Sequence, residues 1–123
     1  MAKKPAVPEA LRTELERKAG DLIETVLKSK HIKPRPKNEN FNYLIDLSAR
    51  WRGVCFYFVS TYACPGPNAI APTFEANFAR LQYVGFRRFN LAFMRHTGKW
   101  VELLNGTLDE CLKSIADDPW FVP

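Results

Sequence analysis

Between Val54 and Val59 the chain reads Val-Cys-Phe-Tyr-Phe-Val, an unbroken apolar run rich in β-branched and aromatic residues. Successive side chains of a strand point to opposite faces, so such a run presents apolar surface on both sides of a sheet. It reads as a central strand covered on both faces. It is also far too short to cross a bilayer, which takes about 20 residues as helix. Any fold for this chain must therefore hide two faces of one sheet.

The rest of the sequence offers little to hide them with. Leu11, Leu15, Ala19, Leu22, Ile23, Val26 and Leu27 recur at helical intervals and predict an amphipathic helix from Pro8 to about Lys30. Thr107-Leu108-Asp109-Glu110 matches a capping box that opens a short helix to about Asp117, with Leu108, Cys111, Leu112 and Ile115 on its apolar face. Strands are predicted over 41–48, 51–62, 76–84, 88–96 and 99–104, with Thr97-Gly98 as a tight turn and Asn105-Gly106 breaking the last strand. In that register Arg95 opposes Trp100 and His96 opposes Lys99. The proline-bearing stretch within residues 31–40 reads as a linker, residues 1–7 as flexible, and 63–75, with its prolines, as a long loop.

The expected fold class is α+β, a single domain over residues 1–123. A long N-terminal helix leads into an antiparallel sheet of about five strands in meander-like order, and a short helix closes the chain. Helices of that number cover one sheet face, so the second face needs a partner subunit or strong curvature.

Charge narrows the partners. The chain carries 18 Lys and Arg against 13 Asp and Glu, a net charge of +5. Two segments, 28–37 and 77–101, hold basic residues and no acid, so a surface on which they converged would attract anions. The three cysteines form no Cys-x-x-Cys pair and stand at no zinc-finger spacing from a histidine. Cys55 and Cys111 read as small buried hydrophobes and Cys64 as a loop residue. No secretory pattern follows the charged Met1–Lys4, and a cytoplasmic address without membrane attachment is expected.

One resemblance spans nearly the whole chain. The long first helix, the Pro/Lys linker, Arg50-Trp51 at the end of a hairpin strand, Ala79-Arg80-Leu81-Gln82-Tyr83-Val84, the segment from Phe89 to Trp100 with Met94-Arg95 and Lys99-Trp100, and the closing acidic helix resemble a bacterial family known only as a domain of unknown function. The resemblance implies the fold plan above. It implies no activity and carries no site residues over. Cys64-Pro65-Gly66-Pro67 and Arg95-His96-Thr97-Gly98 depart from it.

Function is then read from residue types. No phosphate-binding glycine loop, nucleophile elbow, metal-ligand motif or dinucleotide fingerprint is present, so no cofactor and no metal is expected. The leading expectation is a non-enzymatic protein-interaction module, binding an unknown protein or a second copy of itself through surplus apolar sheet surface. Trp51, Trp100 and Arg95 are its natural anchors, unless Arg95 instead lies over Trp100 as an internal cation–π pair. The alternative is a nucleic-acid-binding domain, in which exposed sheet aromatics stack bases and basic residues, Arg87, Arg88 and Lys99 among them, neutralise phosphates; Arg50 and Arg80 complete the binding candidates. A metal-independent ribonuclease is a second alternative, with His96 as general acid or base, Glu102 its partner, and Arg95 and Lys99 stabilising charge. Strand alternation counts against it, since it sets His96 and Lys99 on the face opposite Arg95 and Glu102.

Overall fold

The computed structural model describes residues 6–34 and 41–123, so much of the expected linker and most of the expected flexible start lie outside the described residues. Helix α1 spans Glu9–Leu22, passes through a π-type turn at Ile23–Leu27, and continues as α2, Lys28–His31. Five antiparallel strands follow, β1 Tyr43–Arg52, β2 Cys55–Ala63, β3 Thr73–Gly85, β4 Arg88–Met94 and β5 Trp100–Thr107, and α3, Leu108–Asp117, closes the fold. The strands lie in the order β1-β2-β3-β4-β5, a plain meander. The chain is thus α+β, as its pattern of elements implies.

The first helix shows why the π-type turn is there. Its buried residues, Leu11, Leu15, Ala19, Ile23 and Leu27, are spaced by four throughout. On an α-helix of 3.6 residues per turn, each step of four drifts by roughly 40°, and over four steps the stripe would leave the core. A π-type turn winds more residues into one turn and brings the stripe back. The same rewinding turns Val26, expected on the apolar face, outward to 39% exposure. Val7, expected in the flexible start, is buried and joins the core.

One core forms between the helices and one face of the sheet. Leu47, Phe56, Phe58, Phe78, Leu81, Phe89 and Leu91 meet the helical stripe, Cys111, Ile115 and Phe121. Among the described residues no helix lies on the other face, yet Val59 and Ala92, which belong to that face, are both 0% exposed. Neighbours on their own face must cover them. Register shifts on β1, β3 and β5 are bulges, and bulges bend and twist a sheet. The bulge on β3 is also what aims Phe78 into the core beside Ala79, while Asn77 keeps its place opposite Val59. Bending thus hides Val59 within one chain, while Cys55 and Tyr57, on the same face of β2, stay half-exposed, so the expectation that both faces of this strand are covered holds only in part.

Several boundaries differ from the sequence reading, each for a local reason. The first hairpin turns at Gly53-Val54, two residues beyond Trp51, because Gly53 adopts φ +63° and lets β1 run to Arg52. Strands β2 and β3 extend into the expected loop, where Tyr62 stacks on Phe74 at 5.1 Å and the Cys64 amide donates to the Pro72 carbonyl. Strand β5 runs through Asn105 and Gly106. Asn105 accepts from Arg88 and donates to Asn90, and a Cβ at Gly106 would stand 2.8 Å from Leu104. The capping box forms as expected, Glu110 N–H donating to Thr107 Oγ1 and Thr107 N–H to Glu110 Oε1.

The β3–β4 turn stores strain. Phe86 and Arg87 occupy its two central positions at φ +53° and +59°, where asparagine and glycine are the favoured residues. Replacing them together, Phe86→Asn with Arg87→Gly, should raise stability by about 1–2 kcal/mol, because the Arg87–Glu14 ion pair that is lost is exposed and worth under about 1 kcal/mol. Urea unfolding checks this as a higher midpoint at unchanged slope.

Candidate functional site

The face of the sheet that no described helix covers is not an apolar surplus. Cross-strand pairing lays Arg52, Cys55, Gln82, Asn90 and Asn105 in one row across it, and Arg50, Tyr57, Arg80, Ala92 and Glu102 in the next. Met94 and Trp100 pair beyond the second row. Strands stand about 4.8 Å apart, so arginines on β1, β3 and β4 span roughly 15 Å.

Its centre is an aromatic and cationic cluster. Ala92 leaves no side chain between β3 and β5, and Trp100 reaches across it to Arg80, whose guanidinium carbon lies 5.0 Å from the ring centroid. Tyr57 closes the cluster at 5.9 Å from Trp100. Burial, and then the neighbouring Cys55, holds the Tyr57 hydroxyl above its ordinary pKa of 10, so it stays a neutral hydrogen-bond donor. Arg80 Nε is buried and has no protein acceptor among the described residues. The flanking cations are loosely held. Arg50 meets Glu75 at 3.0 Å on the surface and Arg88 donates to Asn105, contacts that are weak in water and easily exchanged.

The nine residues singled out from the sequence divide among three places. Arg50, Arg80, Arg88 and Trp100 share the uncovered face. Trp51 lies on the helix side, under Arg12 at 4.6 Å and against Phe56 at 5.1 Å. Arg87 is also drawn to the helices by Glu14 at 2.9 Å. Arg95 and His96 line a cleft of about 470 Å³ at the end of the β4–β5 hairpin, with Lys99 nearby in the same hairpin.

That hairpin corrects the expected register. The Arg95 amide donates to the Lys99 carbonyl and Met94 pairs with Trp100, so the loop is His96-Thr97-Gly98, with Gly98 at φ +82°. Arg95 thus stands opposite Lys99, and Trp100 takes its cation from Arg80 on the other face. His96 sits in the loop, while Glu102 lies opposite Ala92 on the uncovered face, away from Arg95 and Lys99. Of the first basic segment, Lys28 bonds Glu24 and Asp46 and Lys30 donates to the Ala116 carbonyl, while residues 35–37 lie outside the described residues.

Tyr57 and Arg52 were missed in the sequence although their signal was there. Arg52 is two residues from Arg50, and Tyr57 alternates with Phe56 and Phe58, the spacing that puts residues on one face. Cys55, expected to be buried, is half-exposed on that face, and only Cys111 is the buried thiol, its pKa pushed up to about 12 chiefly by burial.

His31, at the end of α2, gives the fold a pH dependence. Its Nε2 is buried without a partner, and burial, then Lys30 and Lys33, hold its pKa below 6.5. The unfolded chain takes up the proton first, so this contribution is fully present above pH 6.5 and lost as pH falls through the lowered native value. Glu14 and Glu110, held below 4.5 mainly by hydrogen bonds from Lys18 and Thr107, act only in more acid solution. His31→Gln should flatten the stability profile just below pH 6.5 and leave the acid limb in place, as read by urea midpoints across pH.

Among the described residues no helix is long and apolar enough to cross a membrane. No curated protein and no solved structure matches the chain. A family model described as Domain of unknown function (DUF3024) matches residues 7–123, almost the entire sequence, and the protein belongs to that family.

Proposed function

We propose that the protein binds single-stranded nucleic acid on the uncovered face of its sheet. The observation that carries this reading is the convergence of Arg50, Arg52, Arg80 and Arg88 with Tyr57 and Trp100 on that one face. Arginines neutralise phosphates, and aromatic rings stack bases whatever their sequence. Single strands suit it better than duplex, because only unpaired bases offer their flat faces to a sheet.

The nucleic-acid reading is preferred to an apolar interface because the uncovered face, though it carries Glu102, is richer in arginine, asparagine and glutamine than in aliphatic side chains. A ribonuclease centre built on His96, Glu102, Arg95 and Lys99 has no common side of the hairpin on which to assemble. The test is fluorescence anisotropy of a labelled single-stranded uridylate decamer, titrated at about 50 and 200 mM salt, with a duplex of equal length beside it. Binding that falls steeply with salt and favours the single strand supports the proposal. Equal binding of the duplex, or no binding at the lower salt, removes it.

A further inference from the structure

The cleft at the end of the β4–β5 hairpin is lined by Phe93 and Val101, which alternate away from the proposed nucleic-acid surface, and by Met94 at the hairpin's end, and its chemistry is different. Its apolar part is built by Phe93, Val101, Pro119 and Trp120. Trp120 stacks on Phe93 at 5.2 Å and 24°, while Phe121 packs edge-on to the same ring at 6.3 Å and is fully buried. Phe121 therefore anchors the tail after α3, and Trp120 stays 56% exposed beside the opening.

Basic side chains stand at the cleft. Arg95 and His96 line it, and Lys99 faces Arg95 directly across the hairpin. Like charges opposite one another destabilise a strand pair. Among the described residues neither Arg95 nor Lys99 has a carboxylate partner, and no acidic residue lines the cleft. An anion placed between the two would relieve that repulsion. The volume, about 470 Å³, falls in the range of small-molecule sites, which are apolar with a few polar groups that fix orientation.

We infer that this cleft is a second binding site, for a small molecule with a flat apolar body and a carboxylate head. The body lies against Phe93, Val101 and Trp120, and the carboxylate accepts from Arg95 with Lys99 beside it. Arginine presents the planar fork of donors that matches a carboxylate.

The probe is 3-phenylpropionate, with 3-phenylpropanol as its uncharged counterpart, titrated into 15N-labelled protein while the three tryptophan indole N–H signals are followed. Saturable movement of the Trp120 signal by the acid, with the Trp100 signal still, is the expected result. The alcohol should bind more weakly by roughly tenfold to a hundredfold, the worth of a charge-assisted hydrogen bond, and Arg95→Gln should weaken the acid by a similar factor. Arg95 is exposed, so the substitution leaves the core intact. Equal binding of acid and alcohol, or acid binding that survives Arg95→Gln unchanged, would overturn the inference, as would the absence of any saturable shift. Because Trp100 reports the sheet face separately, failure here and failure of nucleic-acid binding are told apart.

Discussion

Replacing Arg50, Arg52 and Arg88 together by glutamine is expected to weaken single-stranded RNA binding about a hundredfold at low salt, and to make what remains less sensitive to salt. Each phosphate contact on a single strand contributes roughly 0.7 to the slope of log affinity against log salt, so the loss of three should reduce that slope by about 2. All three side chains are exposed, and their partners are surface groups, so folding should be unaffected. Trp100→Ala should behave differently. It removes a stacking ring worth about 1–3 kcal/mol per base and leaves the phosphate contacts in place, so affinity should fall while the salt slope stays. A Trp100→Ala protein whose slope fell along with its affinity would mean that the ring acts by positioning Arg80 rather than by stacking.

The second large effect concerns stability, and it comes from the residue beside Tyr57. Phe58 is 0% exposed and packs edge-to-face on Phe56 at 5.7 Å and against Phe78 at 6.1 Å. Phe58→Ala is expected to cost about 3–5 kcal/mol, through lost transfer energy and the cavity left at the bulge. Domains of this size have about 5–15 kcal/mol in total, so the urea midpoint should drop steeply. Tyr57→Ala, one residue earlier but on the uncovered face, should cost about 1 kcal/mol and weaken RNA binding instead. A single strand thus has one face that holds the fold and one that is offered to a ligand.

That division explains what was legible in the sequence. The run from Val54 to Val59 announced an interior strand, which begins at Cys55, and the helical intervals from Leu11 to Leu27 announced the first helix, because burial imposes a period on apolar residues. The capping box was legible because Thr107 and Glu110 satisfy each other's backbone within four residues. What escaped was set by non-local geometry. The bulges at Phe78 and Leu103 depend on partners in the neighbouring strand, and they decide how far the sheet bends. The β4–β5 register turned on one residue of loop length, His96, which joins Thr97 and Gly98 in the loop and gives Arg95 and Trp100 the partners Lys99 and Met94. Arg80 and Trp100 meet because Ala92 lies between them, a relation across three strands that no local pattern contains.

The same geometry offers a direct test. Trp100 stands on the uncovered face, Trp51 against the helices and Trp120 at the hairpin cleft, so the indole N–H signals of a 15N-labelled sample report three separate surfaces. A nucleic-acid-binding sheet predicts that single-stranded uridylate moves the Trp100 signal progressively to saturation and leaves those of Trp51 and Trp120 where they were. Movement of Trp51 or Trp120 with Trp100 unchanged would place any nucleic acid elsewhere on the molecule and contradict the assignment of the uncovered face.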